Sequence, residues 1–349
     1  MKDNGLLVQY FNANTPADQT LWAKAAKDAV TLKKIGATAV WFPPATKGAA
    51  GKEDMGYAPY DLYDLGEFNQ KGSVGTRYGT KKEYLEAIDA MKAQGINVYA
   101  DIAVRQKLGA DSVEKVTAAD FNAKDIPQMI GNKKIVGALS KFTFAGRRSK
   151  YSKFKWNWNH FAGIDWKQDD FKKRVCELSG MTEEEAEKKY KFSKYDYIIG
   201  SELDLYNQEV YDELMTWAKW YEDVTGVDGF RFQEAEKVPG WFIRDFAEAA
   251  SNAGEEEKEI FTVGDFWHWR CDYINDYIAS ADNQPSMFDV PLHFSFHDAS
   301  VAEGEYDLSR LLDGSMMMSN PAKAVTFVEN HESQPGGVLE SAVAEWFKP

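Results

Sequence analysis

Three strand-like segments end on polar side chains where acid–base or nucleophilic chemistry could be placed. The run Gly226-Val227-Asp228-Gly229-Phe230-Arg231-Phe232-Gln233 reads as a short β-strand that delivers Gln233 at its C-terminal end. A second run, residues 260–265, ends on Asp265, and a third, 324–330, leads into His331 and Glu332. Carboxyl groups can pass a proton or attack an electrophilic carbon. A carboxamide has no negative charge and cannot act as an attacking carboxylate. The three strand ends therefore offer two carboxyl groups and one neutral amide.

The elements that must position these groups follow a regular rhythm. Short apolar runs alternate with longer amphipathic segments, the signature of βα units around a parallel sheet. Strands are expected at 6–11, 39–42, 96–104, 228–233, 260–265, 286–290 and 324–330. Helices are expected near 20–35, 81–94, 211–224 and 241–250, with Gly36 and Gly95 as stops for the first two. From about 105 to 205 the rhythm lapses into polar sequence rich in Lys and aromatics, read as a subdomain inserted after the third strand. The division is 1–104 for the first part of a barrel domain, 105–205 for the insertion and 206–349 for the second part. Seven strands are expected where a closed (β/α)8 barrel has eight, with its site at the strands' C-terminal ends. An open barrel edge predicts self-association or a complementing chain.

Bulk properties narrow the function. At 349 residues the chain suits one large α/β barrel with an insertion, or two ordinary domains. A net charge of −14 argues against nucleic acid and fits a neutral ligand. Cys176 and Cys271, the two cysteines, form neither a disulfide framework nor a zinc pattern. No apolar run approaches the ~18 residues that span a bilayer. The N-terminus enters an apolar strand with no signal-peptide core, which reads as cytoplasmic, or secreted if a leader was removed.

Longer motifs bring a resemblance. Gly56-Tyr57-Ala58-Pro59-Tyr60-Asp61-Leu62-Tyr63-Asp64-Leu65-Gly66-Glu67-Phe68, Arg77-Tyr78-Gly79-Thr80-Lys81, Phe154-Lys155-Trp156 and Phe288-Asp289-Val290-Pro291-Leu292-His293 resemble the α-amylase family (glycoside hydrolase family 13), in its liquefying bacterial branch. The match covers nearly the whole chain, apart from a divergent stretch around 176–193. It implies a (β/α)8 TIM-type barrel, here with seven strands, an inserted B domain and α-1,4-glucan or maltooligosaccharide as the ligand.

Residue by residue, the resemblance implies an altered site. The nucleophile position holds Gln233, the acid/base position Asp265 instead of Glu, and the stabiliser position Glu332 instead of Asp. Where the family has Asn-His after its third strand, this chain has Arg105-Gln106. Tyr57, Arg231, Trp267 and His331 remain, and with Gln106 they complete the substrate-binding positions. Calcium is expected from the family, but its positions hold Arg105, Ala162, Asp196, Glu202 and Lys237, so no metal is expected. Arg105 is expected to replace the ion and pair with Asp196 and Glu202.

Asp265 is one methylene short and Glu332 one long. A misplacement of ~1 Å costs on the order of 10²-fold in rate, so the expectation is a barrel that hydrolyses poorly or not at all, with residual glucan binding. The alternatives are an atypical hydrolase or transglycosylase using Asp265 and Glu332, and a fragment or engineered variant without function. Trp156 and Trp158 read equally as a sugar platform or as packing. His160, His293, His297 and Met316-Met317-Met318 read as packing, and the run from Glu255 to Lys258 as solvated surface.

Overall fold

The computed structural model describes residues 5–122, 128–164, 175–177, 200–254, 258–302 and 304–333. Seven parallel strands form one sheet in sequence order: β1 (Leu7–Gln9), β2 (Ala39–Phe42), β3 (Asn97–Ile102), β4 (Gly229–Phe232), β5 (Phe261–Gly264), β6 (Ser286–Phe288) and β7 (Ala324–Val325). Helices return the chain between them: α1 (Leu21–Lys34), α2 (Lys81–Ala93), α3 (Gln208–Thr225), α4 (Gly240–Ser251), α5 (Cys271–Ser280) and α6 (Val290–Val301). This is the (β/α)8 barrel type with seven strands.

Local sequence explains the helix ends. Thr80 caps α2 by accepting from the Glu83 N–H while the Glu83 carboxylate accepts from the Thr80 N–H, a reciprocal capping box. Helix α3 begins at Asn207, whose side chain accepts from the Glu209 N–H, and ends at Gly226 with φ +63°. A side chain would strain that left-handed turn.

Side-chain alternation builds two layers. Val40, Phe42, Val98, Ala100, Ile102, Phe230 and Phe232 face outward into the helix-packed core, where Trp22 and Trp217 are fully buried. The alternate residues Trp41, Tyr99, Asp101, Arg231, Val263 and Phe288 are also buried, as both faces of a parallel barrel sheet must be. Burial of one large apolar side chain contributes about 1.5–3 kcal/mol, so the outer layer fixes the strands that carry the inner one. At Gly264 an added Cβ would lie 2.4 Å from Met287 Sδ and 2.9 Å from Ala235 Cβ, so a side chain there requires the Met287 side chain to move.

A second sheet has six antiparallel strands, in the order Gln106–Lys107, Ser201–Leu203, Phe161–Ile164, Val175–Glu177, Ser112–Asn122 and Gln128–Lys141. It leaves the barrel directly after β3 and returns directly before α3. Asp196 and the chain after Ser333 lie outside the described residues, as do residues 255–257 of the acidic run. Between edge strands β1 and β7 lies a groove of about 1080 Å³ lined by Leu7, Trp41, Phe261, Phe288 and Val325 among others. No described helix is long and apolar enough to cross a membrane.

Candidate active site

At the C-terminal ends of the strands, three carboxyl side chains converge on one guanidinium. Arg231 sits mid-strand in β4, facing the barrel interior and fully buried. Its Nη1 donates to both carboxylate oxygens of Asp101, at 3.0 Å each. Its Nη2 donates to Asp265 and, at 3.0 Å, to Glu332 Oε1. The indole of Trp41 lies under the guanidinium, 4.7 Å from centroid to Cζ. Asp101 also accepts from Trp41 Nε1 at 3.1 Å and from the Tyr57 hydroxyl at 2.7 Å.

Each carboxylate arrives by a different local route. Asp101 is the penultimate residue of β3, and Asp265 follows β5, its N–H bonded to Phe232 O. Glu332 is delivered by a tight turn in which the Asn330 side chain accepts from the Glu332 and Ser333 N–H groups. The same turn places His331 Nε2 3.0 Å from the Tyr57 hydroxyl, with the two rings stacked 8° from parallel. Because that hydroxyl donates to Asp101, His331 donates through Nε2, a tautomer assigned from the network.

The electrostatics are those of one cation shared by two buried acids, Asp101 and Asp265, and a half-buried one, Glu332. Burial drives the Asp265 carboxyl well above its ordinary range, and the Glu332 charge adds to this against the pull of Arg231. Asp101 is likewise raised by burial against Arg231. Burial is the largest influence on Glu332 and opposes its ionisation, but Arg231, the hydrogen bond with Asp265 and His331 together outweigh it and lower that carboxyl. Asp265 is therefore the proton holder of the pair and Glu332 the anion. Burial, then the nearby Arg231 charge, push His331 down to about 3, so its ring is neutral.

Gln233 follows β4, its N–H bonded to Ile102 O. The next residue, Glu234, holds φ +46°, a left-handed conformation that costs a non-glycine residue energy. Two cations grip its carboxylate: Arg105 Nη1 at 2.6 Å and Lys237 Nζ. Arg105 was expected against Asp196 and Glu202; the ion pair described is with Glu234, and Asp196 lies outside the described residues. Glu202 is buried in the adjoining strand, in register with Gln106, and Ala162 is buried in the next one. A guanidinium, an ammonium and a methyl group do not make an oxygen cage for calcium, which takes six to eight oxygen ligands. Among the described residues no group of three His, Cys, Asp or Glu side chains is placed to hold a metal.

The remaining expected positions spread outward. Gln106 is buried and donates to Tyr57 O at 3.1 Å. Trp267 packs edge-on against His293 and Phe327 and beside Phe294. Trp156 is buried against Phe154, His160 and Phe161, so of the two readings open for it packing holds. Met316 is core, but Met317 and Met318 are 40% and 66% exposed, against the expectation of packing.

Sequence reasoning missed Asp101, Trp41, Glu234 and Glu236 as members of this region. Glu236 lies in the turn after β4, and burial, then Glu234, push its carboxyl up to about 7. The available signal for Asp101 was a lone carboxylate in an apolar strand, which is seldom buried unless paired.

No protein-family profile matches the chain. Over 348 residues it is 42% identical to an alpha-amylase of Geobacillus stearothermophilus, covering 99% of this chain and 63% of that protein. It is 40% identical to a glucan 1,4-alpha-maltohexaosidase of Bacillus sp. (strain 707), with 99% and 67% covered. It is 36% identical to a cytoplasmic alpha-amylase of Escherichia coli (strain K12), with 99% and 70% covered. The chain thus spans 63–70% of the length of these relatives. Among solved structures, an alpha-amylase from Malbranchea cinnamomea shares the fold with a TM-score of 0.56 at 16% identity, over 94% of this chain and 61% of that one. The alpha-amylase from Geobacillus thermoleovorans, complexed with acarbose, gives 0.51 at 16% identity over 84% and 53%. With 36–42% identity running almost end to end, the chain belongs to the α-amylase family, glycoside hydrolase family 13.

Proposed function

We propose that this barrel binds α-1,4-glucan or maltooligosaccharide but does not hydrolyse it efficiently, and that it does so without calcium. The carrying observation is the position of Asp265: its side chain is 0% exposed and anchored on Arg231, while Glu332 is 28% exposed. A retaining glycosidase needs a nucleophile and an acid ~5–5.5 Å apart on either side of the scissile bond. Here the nucleophile position is an amide, and the group at the acid position is drawn away from the ligand onto the arginine. Arg231, which would pair with the nucleophile, is committed to Asp101, Asp265 and Glu332. Glucan enters as ligand class from the relatives, two of them named alpha-amylase and one a glucan 1,4-alpha-maltohexaosidase.

A second reading rests on the opposed titration of the same pair. Asp265 would serve as acid and Glu332 as base, but both now sit on Arg231 Nη2, closer than the ~6.5–9.5 Å of an inverting hydrolase, so this route requires Asp265 to leave the arginine. Assay on a chromogenic maltooligosaccharide separates the two. The first expects turnover at background with binding retained in calorimetry; turnover in the range of the relatives overturns it. Product released with inverted anomeric configuration establishes the second. The groove between β1 and β7 leaves room for strand pairing by a second copy, which sedimentation over a concentration series tests.

A further inference from the structure

Shortly after β2 the chain buries an ammonium group completely. The side chains of Lys47 and its neighbour Asp64 are both 0% exposed. Lys47 Nζ donates to Val74 O at 2.6 Å, Ser73 O at 2.8 Å, Phe68 O at 3.3 Å and Gly75 O at 3.4 Å, and Asp64 Oδ2 stands 3.6 Å away. An ammonium has three protons to donate, so five oxygens exceed its directed hydrogen bonds. That excess is the pattern of a coordinated cation, in which carbonyl dipoles replace a hydration shell. Local sequence builds the cradle. Lys71 and Gly72 take φ +50° and +80°, and the segment folds back so that Gln70 and Ser73 exchange backbone hydrogen bonds at 3.0 and 3.1 Å. Asp64 Oδ1 accepts from the N–H groups of Gly66, Glu67 and Phe68, and Gln70 Nε2 bridges Asp64 to Asp61. Burial lowers the pKa of Lys47 while Asp64 and then Asp61 raise it. With five acceptors around Nζ, the charged form is the one that the cradle stabilises.

We propose that the oxygens of Phe68, Ser73, Val74, Gly75 and Asp64 form a monovalent-cation site that the protein fills with its own Lys47, and that this built-in cation positions Tyr57 for the ligand. The positioning role rests on the glucan-binding reading; the cation site does not. Calcium takes its oxygens at about 2.3–2.6 Å, closer than these, so the cradle fits a cation of ammonium or potassium size. A lysine that only neutralised Asp64 would need that one partner and not four carbonyls. The turn held by Lys47 leads directly into Arg77 and Tyr78. Arg77 Nη1 donates to Glu53 O at 2.8 Å, and the Tyr78 hydroxyl donates to Met55 O at 2.9 Å. Those carbonyls belong to the segment that carries the Tyr57 hydroxyl to Asp101 and His331. Lys47 also pairs with Asp61 in the two-stranded ribbon of Lys47–Gly48 and Pro59–Asp61, which brackets the same segment. Lys47 therefore acts through Tyr57 and is a positioning residue.

The test compares the unaltered protein with Lys47→Ala, which empties the cradle, and Lys47→Met, which keeps the volume without the charge. Thermal midpoints and maltoheptaose affinity by calorimetry are measured in choline, sodium, potassium and ammonium chloride at equal ionic strength. In choline chloride Lys47→Ala is expected to melt about 5 °C lower and to bind maltoheptaose about tenfold more weakly. Potassium or ammonium is expected to recover most of both losses, since a cation that binds only the native state stabilises it. Lys47→Met is expected to respond to none of the salts, because its side chain fills the cradle. Identical behaviour of Lys47→Ala in all the salts, including failure to fold in each, overturns the cation site. Recovery of the midpoint without recovery of affinity keeps the cation site and overturns the positioning of Tyr57. Absence of maltoheptaose binding in the unaltered protein overturns the glucan-binding reading and the positioning role with it, while the melts still decide the cation site.

Discussion

Arg231 Nη1 lies 3.0 Å from both oxygens of Asp101, so this aspartate takes one whole amino group of the guanidinium and leaves the other to Asp265 and Glu332. Three acids depend on one cation in a site without solvent at Arg231, Asp101 or Asp265. Breaking a buried ion pair by removing one partner costs about 3–5 kcal/mol, because the other charge is left uncompensated. Arg231→Met is expected to lose that much in urea unfolding. Arg231→Lys is expected to recover little, since an ammonium cannot span Asp101 and the Asp265–Glu332 pair in two directions. A loss below about 1 kcal/mol for Arg231→Met would mean the acids simply take up protons and the arginine is not the anchor.

The same hub sets what restoring the chemistry requires. Gln233→Asp alone adds a fourth acid beside a guanidinium already committed to three, and leaves Asp265 withdrawn. Combining it with Asp265→Glu, which lengthens the acid by a methylene, and Glu332→Asp, which shortens its competitor, frees Arg231 for the new carboxylate. The triple variant is expected to turn over a chromogenic maltooligosaccharide measurably above each single variant, because members of a catalytic unit act non-additively. A folded triple variant that stays at background would place the defect elsewhere, with Arg105-Gln106 the next positions to exchange.

What was legible in the sequence was local. Ala39–Phe42 forms the strand expected of it to the residue, since an apolar run closed by Pro43-Pro44 has one reading. The last strand was expected to run to 330 and pairs only over Ala324–Val325, because an edge strand with one neighbour has a ladder on one side alone. The ion pairing at Arg231 was not legible: its partners stand 130, 34 and 101 residues away and meet where the sheet curls. The ion pair between Arg105 and Glu234 spans 129 residues, and Glu234 makes it from a left-handed turn. Reasoning by position chose Asp196 and Glu202 because those were the family's oxygens. Among the described residues, the Glu234 carboxylate answers the Arg105 cation.

That pairing makes a prediction about metal. Arg105 and Glu234 are 5% and 19% exposed, so their interaction is little screened. Arg105→Ala is expected to destabilise by about 1–3 kcal/mol, at the low end where Lys237 takes over the carboxylate. Neither millimolar calcium nor a chelator is expected to move the thermal midpoint of the unaltered protein. A calcium-dependent rise would sink this, since any ligand that binds only the native state must stabilise it.

Lys107 gives the pH dependence. Its Nζ is enclosed by Trp156, Phe142 and Phe144, at 5.2, 5.6 and 5.7 Å from their centroids, with no hydrogen-bond acceptor among the described residues. Burial pushes this amine down from 10.5 to about 7; Asp61 and Glu213 oppose the shift and Arg147 adds to it. Below the folded value both states carry the proton, and the full cost of burying the ammonium is present. Between about 7 and 10.5 the unfolded chain holds a proton that the native state has released, so this group makes stability rise with pH. The slope approaches about 1.4 kcal/mol per pH unit. Lys107→Met keeps the volume and removes the charge. It is expected to be more stable than the unaltered protein at neutral pH, with the difference shrinking as pH climbs toward 10.5. Urea midpoints of the two proteins across that range measure it, and parallel curves would show that the amine stays charged inside its aromatic box.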